Sequence, residues 1–292
     1  MTKQKMQKFT INSFREMFPD EDTCLEWLYN RNYDEVQKCP NCGKESKFYK
    51  ISDRKVFSCE FCGYQISPTA GTIFHKSSTP LTTWFYVIYL MAQTRGGISA
   101  KQIERETGVT YKTAWRMCKQ VRSVLFENGD PFSGEVEIDE SYFGGRKAGK
   151  RGRGAEGKTP VVGMIERNGK LEVRKVINTK RNTIIPMVMK NVEQGAQIFT
   201  DEYPVYKCLP SFGFNHSTVQ HADKVYVIGN CHTNTIEGFW SLAKNGIKGV
   251  YHSVSSDYLQ YYLDEYAFRY NHRKDTTPMF FSFLFRASLQ SL

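Results

Sequence analysis

The chain has 292 residues, of which 40% are hydrophobic and 24% charged, a globular composition that excludes a disordered or fibrous protein. At roughly 100–200 residues per domain, this length predicts two or three domains. The 40 lysines and arginines outnumber the 30 acidic residues, which gives a net charge of +10 and a pI near 9.1. Such a surplus favours a polyanionic partner, and nucleic acid is the usual one.

The apolar segments are too short to cross a membrane. The longest apolar run, Leu81–Ala92, falls well below the roughly 20 residues that a membrane-spanning helix needs, so we interpret it as a buried helix. The first ten residues lack the apolar region of a signal peptide. We therefore expect a cytoplasmic protein without a membrane partner.

Two cysteine pairs predict a zinc ribbon in residues 37–70, after a helical segment in residues 1–36. Each pair has the spacing Cys-x2-Cys and is followed by glycine. The four cysteines are Cys39, Cys42, Cys59 and Cys62. In a reducing compartment this pattern is typical of four thiolates around a structural Zn²⁺. A redox dithiol, chance spacing and an iron–sulfur cluster are minor alternatives. Such a ribbon binds DNA, binds protein or only stabilises the fold.

Residues 77–127 predict a helical region with a helix-turn-helix-like pair. Ser99 is placed to cap a first helix, Gly108 falls where the chain must reverse, and Thr110 is placed to cap a second helix. That second helix presents a basic face suited to a major groove. The candidate DNA contacts on it are Lys112 and Arg116. An ordinary helical hairpin with a solvated basic face is the alternative.

Residues 134–292 have the pattern of an α/β domain. Short β-rich runs begin after Gly134, a helix is predicted at Thr183–Val192, and the C-terminal part is helical. The β-rich runs are Glu135–Ile138, Val161–Glu166, Leu171–Ile177 and Ala196–Thr200.

Three acidic residues stand where two strands and a helix can bring them together. Asp139 lies near the end of the first β-run, Asp201 follows the last one, and Glu237 lies on a predicted helix with Lys244 near the same face. Singly, each carboxylate is uninformative. Together, such carboxylates can hold two divalent cations about 3.5–4 Å apart for phosphoryl transfer, with Lys244 at a phosphate.

A glycine-rich basic segment, residues 144–158, lies between the first two β-runs. It carries six basic residues and one acidic residue, a composition that makes a poor core and good phosphate contacts. The candidate DNA contacts in it are Arg146, Lys147, Lys150, Arg151 and Arg153.

Several strings in the chain resemble those of bacterial insertion-sequence transposases with an N-terminal zinc ribbon and a DDE-type catalytic domain. The strings are VEIDESYFGG, TDEYPVY, HTNTIEGFWSLAKNGI and YLDEYAFRYNHR, with FPDEDTCLEWLYN and CPNCGKE upstream. The likeness covers nearly the whole chain. It implies a ribonuclease H-like α/β domain with a mixed sheet, behind a zinc ribbon and a helical region. It also implies action on DNA at the bacterial nucleoid.

The resemblance implies roles for the acidic set. Asp139 and Asp201 are the two aspartates, Glu237 is the third ligand of Mg²⁺ or Mn²⁺, and Lys244 is the basic residue that follows. In the family, water cleaves at a transposon end and the freed 3′-OH attacks target DNA. The implied partners are terminal inverted repeats and target DNA. Joining two ends requires two active sites, so we expect a homodimer on DNA.

Several residues near the acidic set are weaker candidates for the metal site than Asp139, Asp201 and Glu237. Because relatives vary at the third position, His232 and Asn234 are candidate substitutes or phosphate contacts. Glu140 and Glu202 directly follow the two aspartates, and on an extended chain they face the opposite way. Glu137 shares a face with Asp139 but lies two residues back.

Two other functions are considered. A ribonuclease H-like nuclease would cut DNA without joining it. A zinc-ribbon regulator would bind DNA through the helix-turn-helix-like region without chemistry, although it would have little reason to keep the acidic set and the basic segment.

Overall fold

The chain folds as two units, one of which is assembled from both ends of the sequence. The computed structural model describes residues 8–33, 38–145, 157–219 and 232–290. The first unit is built from described residues of Met1–Val124 and Asp275–Leu292, and the second from those of Leu125–Lys274. The predicted contacts Arg146, Lys147, Lys150, Arg151 and Arg153 lie outside the described residues.

The described residues form the following elements. The helices are α1 Ile11–Met17, α2 Glu21–Tyr33, α3 Leu81–Gln93, α4 Ala100–Thr107, α5 Tyr111–Ser123, α6 Arg181–Asn191, α7 Asn234–Gly246, α8 Ser256–Asn271 and α9 Met279–Ser288. The strands are β1 Phe48–Lys50, β2 Phe57–Cys59, β3 Gln65–Ile66, β4 Glu135–Phe143, β5 Thr159–Glu166, β6 Leu171–Lys175, β7 Gln197–Thr200 and β8 Asn215–Thr218. A 3₁₀ helix spans Pro204–Phe212, and a π-helical turn spans Ile247–Tyr251.

The core of the first unit is organised around α3. This helix confirms the buried helix predicted from its apolar sequence, because Trp84, Phe85 and Ile88 are fully buried. Helices α2, α5 and α9 pack against it. Across the described residues, no helix has the length and hydropathy needed to cross a membrane.

Helix α9 belongs to the first unit and not to the second. Its residues Phe280, Phe283 and Leu284 are fully buried, and the ring of Phe280 packs edge-on against Phe14 and Phe18. The second unit therefore ends at Lys274, whereas the sequence assigned residues up to 292 to the α/β domain. The helical segment, ribbon and helix-turn-helix-like pair, assigned to separate domains from sequence, share one unit with α9.

The predicted caps of the helix-turn-helix-like pair are confirmed. The Ser99 hydroxyl accepts a hydrogen bond from the backbone N–H of Gln102 at the start of α4. Gly108 ends that helix with a φ of 72°, a left-handed conformation that glycine adopts without a Cβ penalty. The Thr110 hydroxyl then accepts from the N–H of Thr113 at the start of α5.

The second unit contains a five-stranded sheet in the order β6-β5-β4-β7-β8. The pairs β6–β5 and β5–β4 are antiparallel, whereas β4–β7 and β7–β8 are parallel. Helix α6 and the 3₁₀ helix cover one face, where Val136 and Ile138 are buried. Helices α7 and α8 cover the other face, where Phe143 is buried. This arrangement confirms the predicted mixed α/β sheet.

Strand β4 is longer than the sequence indicated. It continues to Phe143 because β5 pairs with it along its whole length, as far as Phe143 opposite Thr159. Asp139 therefore lies in the middle of a strand, and the prediction that it lies near the end of one is wrong. Strand β8 and the 3₁₀ helix were not predicted, because their sequences carry little periodicity.

Candidate active site and zinc centre

The four predicted zinc ligands come together in the ribbon. The four cysteine sulfurs all lie within 4.8 Å of one another. The sulfurs of Cys39 and Cys62 are 3.6 Å apart, and those of Cys42 and Cys59 are 3.9 Å apart. A tetrahedron with Zn–S bonds of about 2.3 Å places its sulfurs about 3.8 Å apart, so the spacing fits Zn²⁺. The chain thus contains a four-cysteine site for structural zinc.

Local hydrogen bonds hold the two cysteine turns. The backbone N–H of Gly43 donates to the carbonyl of Cys39, and that of Gly63 donates to the carbonyl of Cys59. The Asn41 amide donates to the sulfur of Cys62 at 3.6 Å, which favours the thiolate form that binds metal. The antiparallel strands β1, β2 and β3 form a small three-stranded sheet.

The candidate active site is an acidic cluster at one edge of β4. Carboxylate oxygens of Asp139, Glu140 and Asp201 lie within 4.8 Å of one another. Strand β7 pairs with β4 only as far as Glu137, opposite Phe199, and its chain then reaches Asp201. The cluster therefore occupies the position where the two parallel strands separate, as expected for Asp139 and Asp201.

Glu140 joins the cluster even though, as expected, it faces the opposite way from Asp139 on β4. Its side chain does leave β4 on the opposite face, where the hydroxyl of the fully buried Tyr206 donates to its Oε1. Because β7 no longer covers the edge of β4 at this level, carboxylates from both faces reach the same space. Sequence spacing misses this, because it does not show where a neighbouring strand stops.

Each carboxylate of the cluster is held by a donor from a different part of the unit. The indole N–H of Trp240 on α7 donates to Oδ2 of Asp139 at 3.0 Å. The backbone N–H of Tyr203 donates to Oδ1 of Asp201 at 2.9 Å. Together with the hydrogen bond from Tyr206 to Glu140, these contacts orient the three carboxylates before any cation binds.

The electrostatics of the cluster favour a bound cation. Burial, together with the negative charges of Glu140 and Asp201, raises the pKa of Asp139 to about 7. A carboxyl group with such neighbours resists ionisation unless positive charge arrives. Carboxylate oxygens are also the ligands that Mg²⁺ prefers.

Helix α7 approaches the sheet closely enough to reach the cluster. Gly163 on β5 lies opposite Asp139, and a Cβ at Gly163 would stand 2.7 Å from the Trp240 ring, so only glycine fits there. Lys244, one turn beyond Trp240, is close enough for the charge of Asp139 to act on it, although burial is the main influence and lowers the pKa of Lys244.

The predicted third ligand, Glu237, lies on α7 as expected, in its first turn. Its side chain is exposed and accepts a hydrogen bond of 2.9 Å from the hydroxyl of Thr233. It precedes Trp240 by three residues, which places both near one face of the helix. Glu237 is nevertheless not one of the three residues whose carboxylates the structure brings within 4.8 Å.

Glu137, ranked low from sequence, is fully buried and anchors the start of α7. Its carboxylate accepts hydrogen bonds of 3.0 Å from the backbone N–H groups of Thr235 and Ile236. It also forms an ion pair of 3.0 Å with Arg167. His232 lies 3.3 Å from Glu137, outside the acidic cluster. Asn234 is the exposed first residue of α7, also outside the cluster.

The predicted DNA contacts of the first unit are on the surface. Lys112 and Arg116 are exposed on α5, one turn apart. The guanidinium of Arg116 lies 6.0 Å from the ring centre of Trp84 and donates to the hydroxyl of Thr79 at 3.4 Å. Both cations are therefore available on one face of the second helix.

Comparison with known proteins decides the family. An ISXO2-like transposase domain matches residues 131–271, and a transposase zinc-ribbon domain matches residues 19–65. A protein of the transposable element ISH50 from Halobacterium salinarum, itself described as uncharacterized, is 29% identical over 252 residues, which are 79% of this chain and 84% of that protein. The chain is an insertion-sequence transposase.

The transposase has the expected organisation, with a zinc ribbon in front of a ribonuclease H-like domain of the DDE type. Its family makes it a DNA-cleaving enzyme, and the matched domain includes the whole acidic cluster. Among solved structures, it is similar at 12% identity and a TM-score of 0.30 to a chain in the cryo-EM structure of the simian T-cell lymphotropic virus intasome in complex with PP2A regulatory subunit B56 gamma. That alignment spans 62% of this chain and 64% of the other, which is less than two thirds of its length.

Proposed function

We propose that this transposase binds the terminal inverted repeats of its insertion sequence and catalyses Mg²⁺-dependent cleavage and strand transfer. The observation that carries the proposal is the cluster of Asp139, Glu140 and Asp201 within 4.8 Å, inside a transposase domain. Three carboxylates this close repel one another, and divalent cations offset that repulsion.

The acidic cluster and α7 together supply the groups that the reaction needs. Asp139 and Asp201 would hold the cations, with Glu140 or the family-motif residue Glu237 as the third carboxylate ligand. When bound, two such cations activate the attacking oxygen and stabilise the leaving oxygen. Mn²⁺ has the same preference for oxygen ligands. Lys244 would hold a phosphate of the scissile strand.

The proposed chemistry has two steps. In cleavage, the oxygen of water bonds to phosphorus at the transposon end, the bond from phosphorus to O3′ breaks, and the released O3′ takes a proton. In strand transfer, this 3′-OH attacks a phosphorus of target DNA, and a target O3′ leaves. No bond to the protein is formed in either step.

The decisive experiment is strand transfer in vitro with labelled DNA that carries the element's own terminal repeats. We expect joined product that requires Mg²⁺. Asp201→Asn is expected to reduce its rate by roughly 100-fold or more, because a ligand of the cations is lost. Glu202→Gln, an exposed neighbour, is the matched control and should stay close to wild type. Cleavage without joining would favour a nuclease, and specific binding without cleavage would favour a regulator.

The third ligand is decided by a second pair of variants. Glu140→Gln and Glu237→Gln each keep the size of the side chain and remove its charge. The variant that raises the Mg²⁺ concentration needed for half-maximal cleavage identifies the ligand. If neither does so, the two aspartates alone hold the cations.

For DNA binding, we propose that α5 contacts the terminal repeat. Lys112→Ala and Arg116→Ala are expected to weaken binding and to reduce the slope of log affinity against log salt by about 1 each, because each removes a phosphate contact. Lys101→Ala is the control, since Lys101 forms an ion pair with Glu104 on α4. Equal salt slopes for all three variants would contradict the proposal.

A homodimer on DNA completes the proposal, because joining two transposon ends requires two active sites. The complex would act in the cytoplasm, at the nucleoid. Sedimentation of the protein with and without terminal-repeat DNA measures the number of protein chains in the complex. A complex with one protein chain per two joined ends would contradict the homodimer.

A further inference from the structure

A cavity of about 400 Å³ lies beside the acidic cluster in the second unit. It is bordered by the end of β4, the end of α7, the π-helical turn and the start of α8. Its lining includes Phe143, Lys244, Lys248, His252, Ser253 and Leu259. Binding sites for small organic groups typically have volumes of about 300–1,000 Å³, so the cavity is large enough for one nucleotide.

Positive charge is concentrated at this cavity. Lys244 and Lys248 both line it, four positions apart along the chain, the first on α7 and the second on the π-helical turn that follows. Besides burial, the nearby charge of Lys158 lowers the pKa of Lys244, which indicates that a third cation is close. Within the described ranges, none of these three lysines forms an ion pair with a carboxylate. Uncompensated cations at a cavity mouth attract phosphate.

The walls of the cavity are apolar, in contrast to its positively charged edge. Phe143, Val254 and Leu259 supply apolar surface. At the rim, Gly144 and Gly145 present backbone without side chains, so a ligand can approach closely there. The cavity therefore combines an apolar interior with a cationic edge, which is the chemistry of a nucleotide: a flat base joined to a phosphate.

We propose that this cavity binds one unstacked nucleotide of the DNA substrate, next to the scissile phosphate. The base would lie against Phe143 and Leu259, and its phosphate would contact Lys244 and Lys248. Lys244 is close enough to Asp139 for the charge of that carboxylate to act on it, so a nucleotide bound at Lys244 would lie near the acidic cluster. Removing a base from the stack also lets the strand bend toward the catalytic carboxylates. This inference rests on the proposed function.

The test places 2-aminopurine, whose fluorescence rises when it is unstacked, in turn at each position around the cleavage site of a terminal-repeat duplex. Full-length wild-type protein without Mg²⁺ is expected to raise the fluorescence several-fold at one position. Ser253→Trp fills the cavity from an exposed lining position and should abolish the rise. It should also slow cleavage by about 10- to 100-fold, the effect of a misplaced substrate.

Two further arms separate a blocked cavity from a damaged protein. Ser255→Trp places the same side chain at an exposed position two residues away that does not line the cavity, and it should behave as wild type. An abasic nucleotide at the responsive position removes the base that must be accommodated, and it should restore cleavage by Ser253→Trp. A misfolded variant would not be rescued in this way.

The inference is overturned if the wild type cleaves and joins the DNA while no position changes in fluorescence. It is also overturned if Ser253→Trp cleaves as fast as the wild type. Failure of the wild type to cleave the element's own ends would instead count against the proposed function, so the two failures are distinct.

Discussion

Glu137 and Asp139, two residues apart on one face of β4, both accept hydrogen bonds from α7. Glu137 accepts hydrogen bonds from backbone N–H groups at the start of the helix, and Asp139 accepts one from the indole N–H of Trp240. Two steps along a strand advance about 7 Å, and so do the five steps along the helix from Thr235 to Trp240. The strand and the helix therefore run side by side in a fixed register, which fixes where Lys244 projects.

The Trp240 bond to Asp139 is expected to affect metal affinity. It opposes burial, the main cause of the raised pKa of Asp139, so Trp240→Phe should raise that pKa further and weaken Mg²⁺ binding. A hydrogen bond to a charged group contributes about 1.5–3 kcal/mol, so the half-saturating Mg²⁺ concentration should rise roughly 10- to 100-fold. Cleavage rates measured across Mg²⁺ concentrations test this. Trp27→Phe, in the first unit, is the control, and an unchanged Mg²⁺ dependence for Trp240→Phe would contradict the prediction.

The ion pair between Glu137 and Arg167 is expected to stabilise the second unit. Glu137→Gln should lower the free energy of unfolding by at least about 2 kcal/mol, because it leaves the charge of a mostly buried Arg167 without its buried partner. Glu135→Gln is a matched control, since Glu135 pairs with the same arginine at 3.1 Å but is 46% exposed. Glu135→Gln should lower the free energy of unfolding by less than about 1 kcal/mol. Urea unfolding compares the two, and equal losses would show that burial does not decide the effect.

Asp264 on α8 is expected to make stability depend on pH. Burial is the main cause that raises its pKa to about 6, from an ordinary value of 3.8. The folded protein therefore holds this proton more tightly than the unfolded chain, and stability falls as pH rises from about 4 to 6. Asp264→Asn removes this loss and keeps an oxygen that accepts from the Gln260 amide.

The predicted gain of Asp264→Asn over the wild type is about 2 kcal/mol larger at pH 7 than at pH 4, at 1.36 kcal/mol per pKa unit, because Asp264 of the unfolded chain is already partly ionised at pH 4. Urea unfolding at both pH values measures it. A difference between the two proteins that stays constant across this range would show that Asp264 ionises as easily in the folded state as in the unfolded one.

Removal of zinc is expected to unfold the ribbon, because metal binding supplies much of the folding energy of such a module. Cys59→Ser should lose the metal, whereas Cys208→Ser, in the second unit, should retain one zinc per chain. Metal analysis measures this directly. Hydrogen exchange of β1, β2 and β3 should accelerate on chelation, and unchanged protection after complete removal of zinc would refute a structural role.

Local features were predictable from sequence. The caps at Ser99 and Thr110 and the reversal at Gly108 depend on residues within one or two turns, so their signals are contained in a short stretch of chain. The cysteine pairs are similar, because each tight turn is specified by adjacent residues. The strings around Asp139 and Asp201 located the acidic cluster and the family.

The long-range features were not predictable. Glu140 joins the cluster because β7 stops pairing at Glu137, and the position of Asp139 within β4 depends on how far β5 continues. The anchoring of α7 by Glu137 depends on a partner about 100 positions away. Contacts of this kind are decided by the packing of distant segments, which spacing in one sequence does not encode.

The return of α9 to the first unit affects the order in which the protein can fold during synthesis. Three of its apolar side chains, Phe280, Phe283 and Leu284, are fully buried in that unit. The ribosome makes them only after it has made the whole of Leu125–Lys274. The first unit of a nascent transposase therefore lacks part of its interior until the second unit has emerged.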